Sequence, residues 1–201
     1  MELQKNLLVA VLMTVATTVL LGVGYPLAAT ALAQLLFPDR ANGQLIHQDG
    51  RLVGSRLIGQ PFSSAGYFRP RPSAAGAAGY DATASGGTNL GPTNAALVGA
   101  VRARTAAARH ENPGVPVPID LVTSSASGLD PDISPAAAAF QVPRVARERG
   151  VTDSAIRDLV SAFTRPRDLG VLGEPRVNVL ELNLALDERY PAGDSSSPAK
   201  R

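Results

Sequence analysis

Leu7-Leu8-Val9-Ala10-Val11-Leu12-Met13-Thr14-Val15-Ala16-Thr17-Thr18-Val19-Leu20-Leu21-Gly22-Val23-Gly24-Tyr25-Pro26-Leu27-Ala28-Ala29 decides the architecture of this chain. No charged side chain occurs from Leu7 to Phe37; Lys5 precedes the run, and Asp39 and Arg40 follow it. About 20 residues of helix cross the hydrocarbon core of a bilayer. The stretch reads as one transmembrane helix over residues 7–29. Tyr25 suits the membrane interface and Pro26 kinks or breaks a helix, so Gly24-Tyr25-Pro26 marks the outer end. Lys5 and the positive-inside rule put residues 1–6 in the cytoplasm and everything after the span outside it.

A second reading of the same stretch is a cleaved signal peptide. It has a basic residue near the start, an apolar run, and Ala31-Leu32-Ala33 as an A-x-A site. Cleavage after Ala33 would release a secreted binding protein or hydrolase. Against it, signal-peptide apolar regions run about 7–15 residues, and this one is longer. Ala10, Thr14, Thr18 and Gly22 recur at i,i+4 as a small-xxx-small ridge, which lets another helix approach closely in lipid. Small residues are common in any transmembrane helix, and that is the bland account of the ridge.

The remaining residues suit one modest domain. Of the 201 residues 45% are apolar, enough for a core, but only 4% are aromatic and there is no Trp. With 19 Gly and 16 Pro, the expectation is a small-residue core with many turns, of α+β class rather than a helical bundle. A net charge of +2 is too small to mark a nucleic-acid surface. Arg102, Arg104 and Arg109 read as a solvated helix face. The absence of Cys excludes disulfides, thiolate metal sites and Cys nucleophiles.

Within residues 30–191, Gln44 to Ser55 predicts a hairpin around Asp49-Gly50, with Leu57 and Ile58 extending its second strand. Residues 59–91, rich in Gly, Pro, Ser and Ala, form a long loop. Such a loop is either a binding surface or is stitched down by its own side chains, with Tyr67, Phe68, Arg69 and Tyr80 as candidates. A helix is predicted from Pro92 to about Ala108, with Gly91 or Thr93 near its cap. A short strand is predicted over Ile119–Thr123. Ser134-Pro135 opens a helix that stops at Gly150, with Pro143 inside it as a kink or a shifted start. Thr152 caps a further helix with Ile156, Leu159, Val160 and Phe163 on one face. Val177–Leu180 reads as a strand and Leu182–Leu186 as a short helical or extended end. Residues 192–201 read as a disordered tail.

Catalytic patterns are missing. His47 and His110 have no partner at metal-ligand spacing, and there is neither a phosphate loop nor a G-x-S-x-G elbow. Ser125, Ser127 and Asp130 lie close in sequence without a nearby base. Asp120, Asp130 and Asp132 read as turn and helix-initiating acceptors rather than a calcium site. No cofactor, catalytic or metal residue is assigned.

Several stretches together resemble one family. They are Ser55-Arg56-Leu57-Ile58-Gly59-Gln60 with Tyr67-Phe68-Arg69-Pro70-Arg71-Pro72-Ser73, and Ser85-Gly86-Gly87-Thr88-Asn89-Leu90-Gly91-Pro92-Thr93-Asn94. Then come Val122 through Ser134 with Gln141 and Arg144-Val145-Ala146, and Val177-Asn178-Val179-Leu180-Glu181-Leu182-Asn183. From the anchor to about Asp187 the chain resembles the KdpC family, the C subunit of the bacterial Kdp potassium-transporting ATPase. The resemblance implies a non-catalytic accessory subunit in the cell inner membrane, held by one helix with its domain outside the cytoplasm. Its implied partners are a channel-like potassium-selecting subunit and a P-type ATPase subunit, and ATP and potassium belong to those partners. The family is described as a catalytic chaperone for ATP binding. Ser125–Gly128 with Gln141 has been likened to a nucleotide signature, yet the stretch has no phosphate-binding Lys. Coupling through the assembled complex is the more economical account. The loop with Tyr67, Phe68, Arg69 and Asn89 is the candidate docking surface, with packing inside the domain as the alternative.

Overall fold

A computed structural model of the chain describes residues 2–191; the expected tail over 192–201 lies outside the described residues. The chain divides into two compact units, residues 1–45 and 46–201.

The first unit is dominated by one helical run, Glu2–Leu36, the single described helix long and apolar enough to cross a membrane. It consists of α1 (Glu2–Thr17), a π-helical segment (Thr18–Gly24) and α2 (Tyr25–Leu36). The helix does not end at Pro26. The Tyr25 N–H donates to the Leu20 carbonyl, five residues back, so the backbone is widened just before the proline. A π-bulge of this kind accommodates the ring that would otherwise clash with the carbonyl of the preceding turn. The Thr14 hydroxyl donates to the Ala10 carbonyl and the Thr17 hydroxyl to the Met13 carbonyl, both at 2.8 Å. Each hydroxyl is thus satisfied within its own helix, as lipid requires. A short α3 (Pro38–Ala41) follows, fastened by the reciprocal amide pair of Gln34 and Asn42 at 3.1 Å.

The second unit opens on the expected hairpin, β1 (Leu45–Gln48) and β2 (Arg51–Ser55). Asp49 and Gly50 both take positive φ, 51° and 73°, as a two-residue turn of this hand needs. Leu57 and Ile58 do not extend β2. The Ser55 side chain accepts from the Leu57 N–H at 3.1 Å and turns the chain away.

Helix α4 (Ala95–Glu111) begins later than expected. The Asn94 side chain, not Gly91 or Thr93, caps it by accepting from Ala96 N–H at 2.8 Å. Ile119–Leu121 is a 3₁₀ turn instead of a strand: the Ile119 carbonyl accepts from both the Thr123 N–H and its hydroxyl, and Ile119 stays exposed. Helix α5 (Pro135–Arg149) runs from the Ser134 cap to Gly150, whose φ of 66° ends it in the left-handed region. It passes through Pro143 without a boundary. Helix α6 (Asp153–Ala162) starts at the Thr152 cap. Val179 and Leu180, expected in a strand, open helix α7 (Val179–Arg189) instead, capped by Asn178 accepting from Glu181 N–H at 3.1 Å.

A three-stranded antiparallel sheet, in the order β3 (Asp132–Ile133), β5 (Arg176–Asn178), β4 (Thr164–Arg165), lies among these helices. Ile133 and Thr164 both register with Val177. Val142, Val145, Ile156, Leu159, Val177, Leu182 and Leu186 form a core with Phe68 of the long loop. The molecule is one apolar helix followed by a small mixed domain, an α+β build.

Candidate functional site

The 59–91 loop has almost no secondary structure of its own, so its backbone groups need partners elsewhere. Two buried amides supply them. Asn183 on α7 accepts from the Phe68 N–H and donates to the Phe68 carbonyl, both at 2.9 Å. Gln141 on α5 accepts from the Arg69 N–H at 2.8 Å and donates to the Arg69 carbonyl at 3.0 Å. The two side chains hold consecutive residues as a neighbouring strand would. Phe68, gripped between them, is wholly buried in the core.

Two arginines on α5 add a second clamp. Arg144 ion-pairs with Glu111 at 2.7 Å and donates to the carbonyls of Ala65 and Tyr67 and to Gln141 Oε1. Burial pulls its pKa below the ordinary value, while Glu111 opposes that shift; a guanidinium stays charged regardless. Arg149 pairs with Asp187 at 2.7 Å, donates to the Gly66 carbonyl at 2.9 Å, and lies 4.7 Å over the Tyr67 ring. The Tyr67 hydroxyl donates to Asp187 at 2.8 Å; burial first, and then this carboxylate, raises its pKa.

Downstream, Ser73 is a small hub. Its hydroxyl donates to the Gly128 carbonyl at 2.5 Å and accepts from the N–H groups of Ala75 and Tyr80. The Tyr80 hydroxyl donates to the Arg71 carbonyl at 2.5 Å, and burial pushes its pKa up to about 12. Arg71 pairs with Asp130 at 3.1 Å. The loop, α4 and α5 line an open cleft of about 350 Å³ with Phe62, Tyr80, Arg69, Arg104 and Glu111 in its wall.

The sequence candidates are therefore distributed unevenly. Tyr67, Phe68 and Arg69 are adjacent in the clamp, while Asn89 is exposed further along the loop, at φ 53°. Phe68 has no exposed surface, so its part in any docking face is to fix the backbone from beneath. Gln141 is 2% exposed and its amide is fully engaged, which leaves it no group for a nucleotide. Ser127 is engaged likewise: its carbonyl accepts from Gly86 and Ser85, and its hydroxyl from Leu129 N–H. Asp120 accepts from Ser134 N–H, Asp130 from Asp132 N–H, and Asp132 from the Asn178 amide. Among the described residues no cluster of His, Cys, Asp or Glu is placed to hold a metal. Arg104 leaves the solvated face expected for it and donates to the Val122 carbonyl at 3.1 Å. Sequence reading missed the clamping roles of Gln141, Arg144, Arg149 and Asn183; polar residues on the apolar faces of two helices were the available signal.

The described residues thus join one bilayer-length apolar helix to a small domain whose buried polar groups brace its own surface loop. The chain belongs to the KdpC family: the model of that family, the c chain of the K+-transporting ATPase, matches residues 7–188. A potassium-transporting ATPase KdpC subunit of Koribacter versatilis is 59% identical over 189 residues, covering 94% of this chain and 97% of the relative. That of Rhodospirillum rubrum is 57% identical over 189 residues, 93% and 97% of the two chains. That of Acidobacterium capsulatum is 56% identical over 186 residues, 92% and 100%. A KdpC chain is a subunit of the potassium-transporting ATPase and not its catalytic one. The matched region begins at residue 7 and so includes the apolar helix; the alternative of a secreted binding protein or hydrolase finds no support in these relatives.

Proposed function

We propose that this chain is a non-catalytic accessory subunit of a Kdp-type, ATP-driven potassium uptake complex. Residues 7–29 hold it in the cell inner membrane, with residues 1–6 cytoplasmic and residues 30–191 outside. It stabilises assembly with the channel-like, potassium-selecting subunit and the P-type ATPase subunit, and supports ATP binding and hydrolysis by the latter. The observation that carries the reading is the family match over 7–188, which takes the anchor and the domain as one unit.

The support for ATP passes through the assembled complex. An extracytoplasmic domain meets no cytoplasmic ATP, and Gln141 has no free hydrogen-bonding group to offer one. ATP and potassium are bound at the partner subunits. The docking reading rests on the half-exposed Arg69 and on Asn89, presented by a loop whose Phe68 and Arg69 backbone is bonded to Asn183 and Gln141. A preformed surface loses less conformational entropy on binding than a mobile one.

Affinity purification of the tagged full chain from membranes in a gentle detergent tests the proposal. The expected result is recovery of both companion subunits with it. A chain that purifies without them would overturn the proposal, and an intact mass beginning at Gln34 would return the secreted reading.

A further inference from the structure

The β4–β5 connection, residues 166–175, is a hairpin that carries its apolar side chains outward. Leu169 is 90% exposed, Val171 73% and Leu172 57%. The tip is ordered by backbone bonds: Asp168 and Leu172 exchange N–H···O=C pairs at 2.9 Å in both directions. Its stem is braced by ion pairs. Arg167 donates to both Glu174 oxygens at 2.9 and 2.7 Å, and Arg176 to both Asp168 oxygens at 3.2 and 3.1 Å. Arg176 also reaches Asp132 on β3 at 3.5 Å, which ties the stem to the sheet. Leu169 sits at φ 53°, a conformation that a branched apolar residue rarely takes and that Gly or Asn would take more easily. An exposed leucine at such a position contributes nothing to the domain's own packing.

We propose that this tip is an interaction plug: Leu169, Val171 and Leu172 enter an uncharged apolar pocket on a companion subunit of the potassium-transporting ATPase. The inference rests on the accessory-subunit reading above and names a contact within it. Charge decides the kind of occupant. The arginines of the segment, Arg165, Arg167 and Arg176, are each paired with a carboxylate of the same domain. A surface built to meet anionic lipid keeps its cations unpaired, whereas a plug for an apolar pocket brings no uncompensated charge with it. Family membership selects a companion subunit over a second copy, because the relatives are named as subunits of a larger ATPase. Three side chains offer a few hundred Å², against about 1,600 Å² for a stable pair of proteins, so the tip is the apolar anchor of a larger interface, where a few residues dominate the affinity.

The test uses the full complex, with the photo-crosslinking residue p-benzoylphenylalanine placed at Leu169, and at exposed Asp153 as a control. Irradiation of membranes is expected to join the Leu169 probe, and not the Asp153 probe, to a companion subunit. In parallel, Leu169→Gly removes the anchor while easing the backbone, so the full chain in detergent should melt at or above the unsubstituted temperature. Co-purification of companions should nonetheless fall about tenfold, as for loss of a central apolar anchor. Adducts to lipid or to a second copy, or no adduct in a complex that assembles, would overturn the plug. Failure of the unsubstituted chain to bring companions would instead overturn the accessory-subunit reading.

Discussion

Asn183 closes a two-way amide pair around Phe68, accepting from its N–H and donating to its carbonyl at 2.9 Å each, across 115 residues of sequence. The contact joins the long loop to the last helix at a point where both residues are buried. Replacing Asn183 by Ala strands both backbone groups of Phe68 away from water. The loss should be about 2–4 kcal/mol, from two unmet buried groups. Asn183→Asp should also destabilise at neutral pH, because a buried carboxyl there either keeps its charge in the core and cannot donate to the Phe68 carbonyl, or takes up a proton to do so, at a cost either way. Thermal melting of the full chain in detergent checks both variants; equal melting of Asn183→Ala and the parent would refute the clamp.

The Ser-Gly stretch ahead of Asp130 makes a second prediction. Gly128 lies at φ 66°, and a Cβ there would come within 2.6 Å of the Gly86 carbonyl oxygen and 2.7 Å of the Ala75 nitrogen. Both obstacles are backbone, and the conformation itself is strained for an L residue. Gly128→Ala should therefore destabilise the domain by about 2 kcal/mol or more, lowering its melting temperature. By contrast Gly91→Ala, whose Cβ meets nothing within 4 Å, should leave it unchanged.

Tyr80 should be identifiable by titration. Its hydroxyl is held in the folded domain with a pKa of about 12 against an ordinary 10.0, through burial, with Arg104 opposing the shift. A raised pKa means that the stability contributed by the neutral phenol is complete below pH 10 and is lost as pH rises through 12. Phenolate absorbance of the folded chain should show late-ionising tyrosine, and Tyr80→Phe should remove one tyrosine's share of it while Tyr67, whose pKa is also raised, remains. The same substitution should cost about 1 kcal/mol at neutral pH, from the lost bond to the Arg71 carbonyl.

Gly22→Leu separates partner packing from folding. A Cβ at Gly22 would lie 3.7 Å from the Thr18 methyl, an ordinary contact, so the helix accepts a side chain there. If the Ala10/Thr14/Thr18/Gly22 ridge packs against a companion helix, the bulk of Leu should weaken co-purification severalfold while leaving the melting temperature of the isolated chain alone. Undiminished assembly would count against the ridge.

What could be read from the sequence follows the range of the forces involved. The length and polarity of the apolar run, the Asp49-Gly50 turn, the Ser134 and Thr152 caps and the Gly150 stop depend on residues within a turn or two of each other. Each therefore stood in the order of residues before any folding. The family motifs could be recognised there too, but not their purpose: that Gln141 and Ser127 are engaged in holding the loop was not legible in them. Tertiary structure decided the rest. The two-residue strands β3 and β4 exist only because Val177 lies between them, and Val179 and Leu180 are helical because Asn178 caps a helix that the core needs. The path of the 59–91 loop is set by Asn183, Gln141, Arg144 and Arg149, partners distant along the chain. A backbone without periodic bonds carries no local signal of the groups that will satisfy it, so only the folded core could assign them.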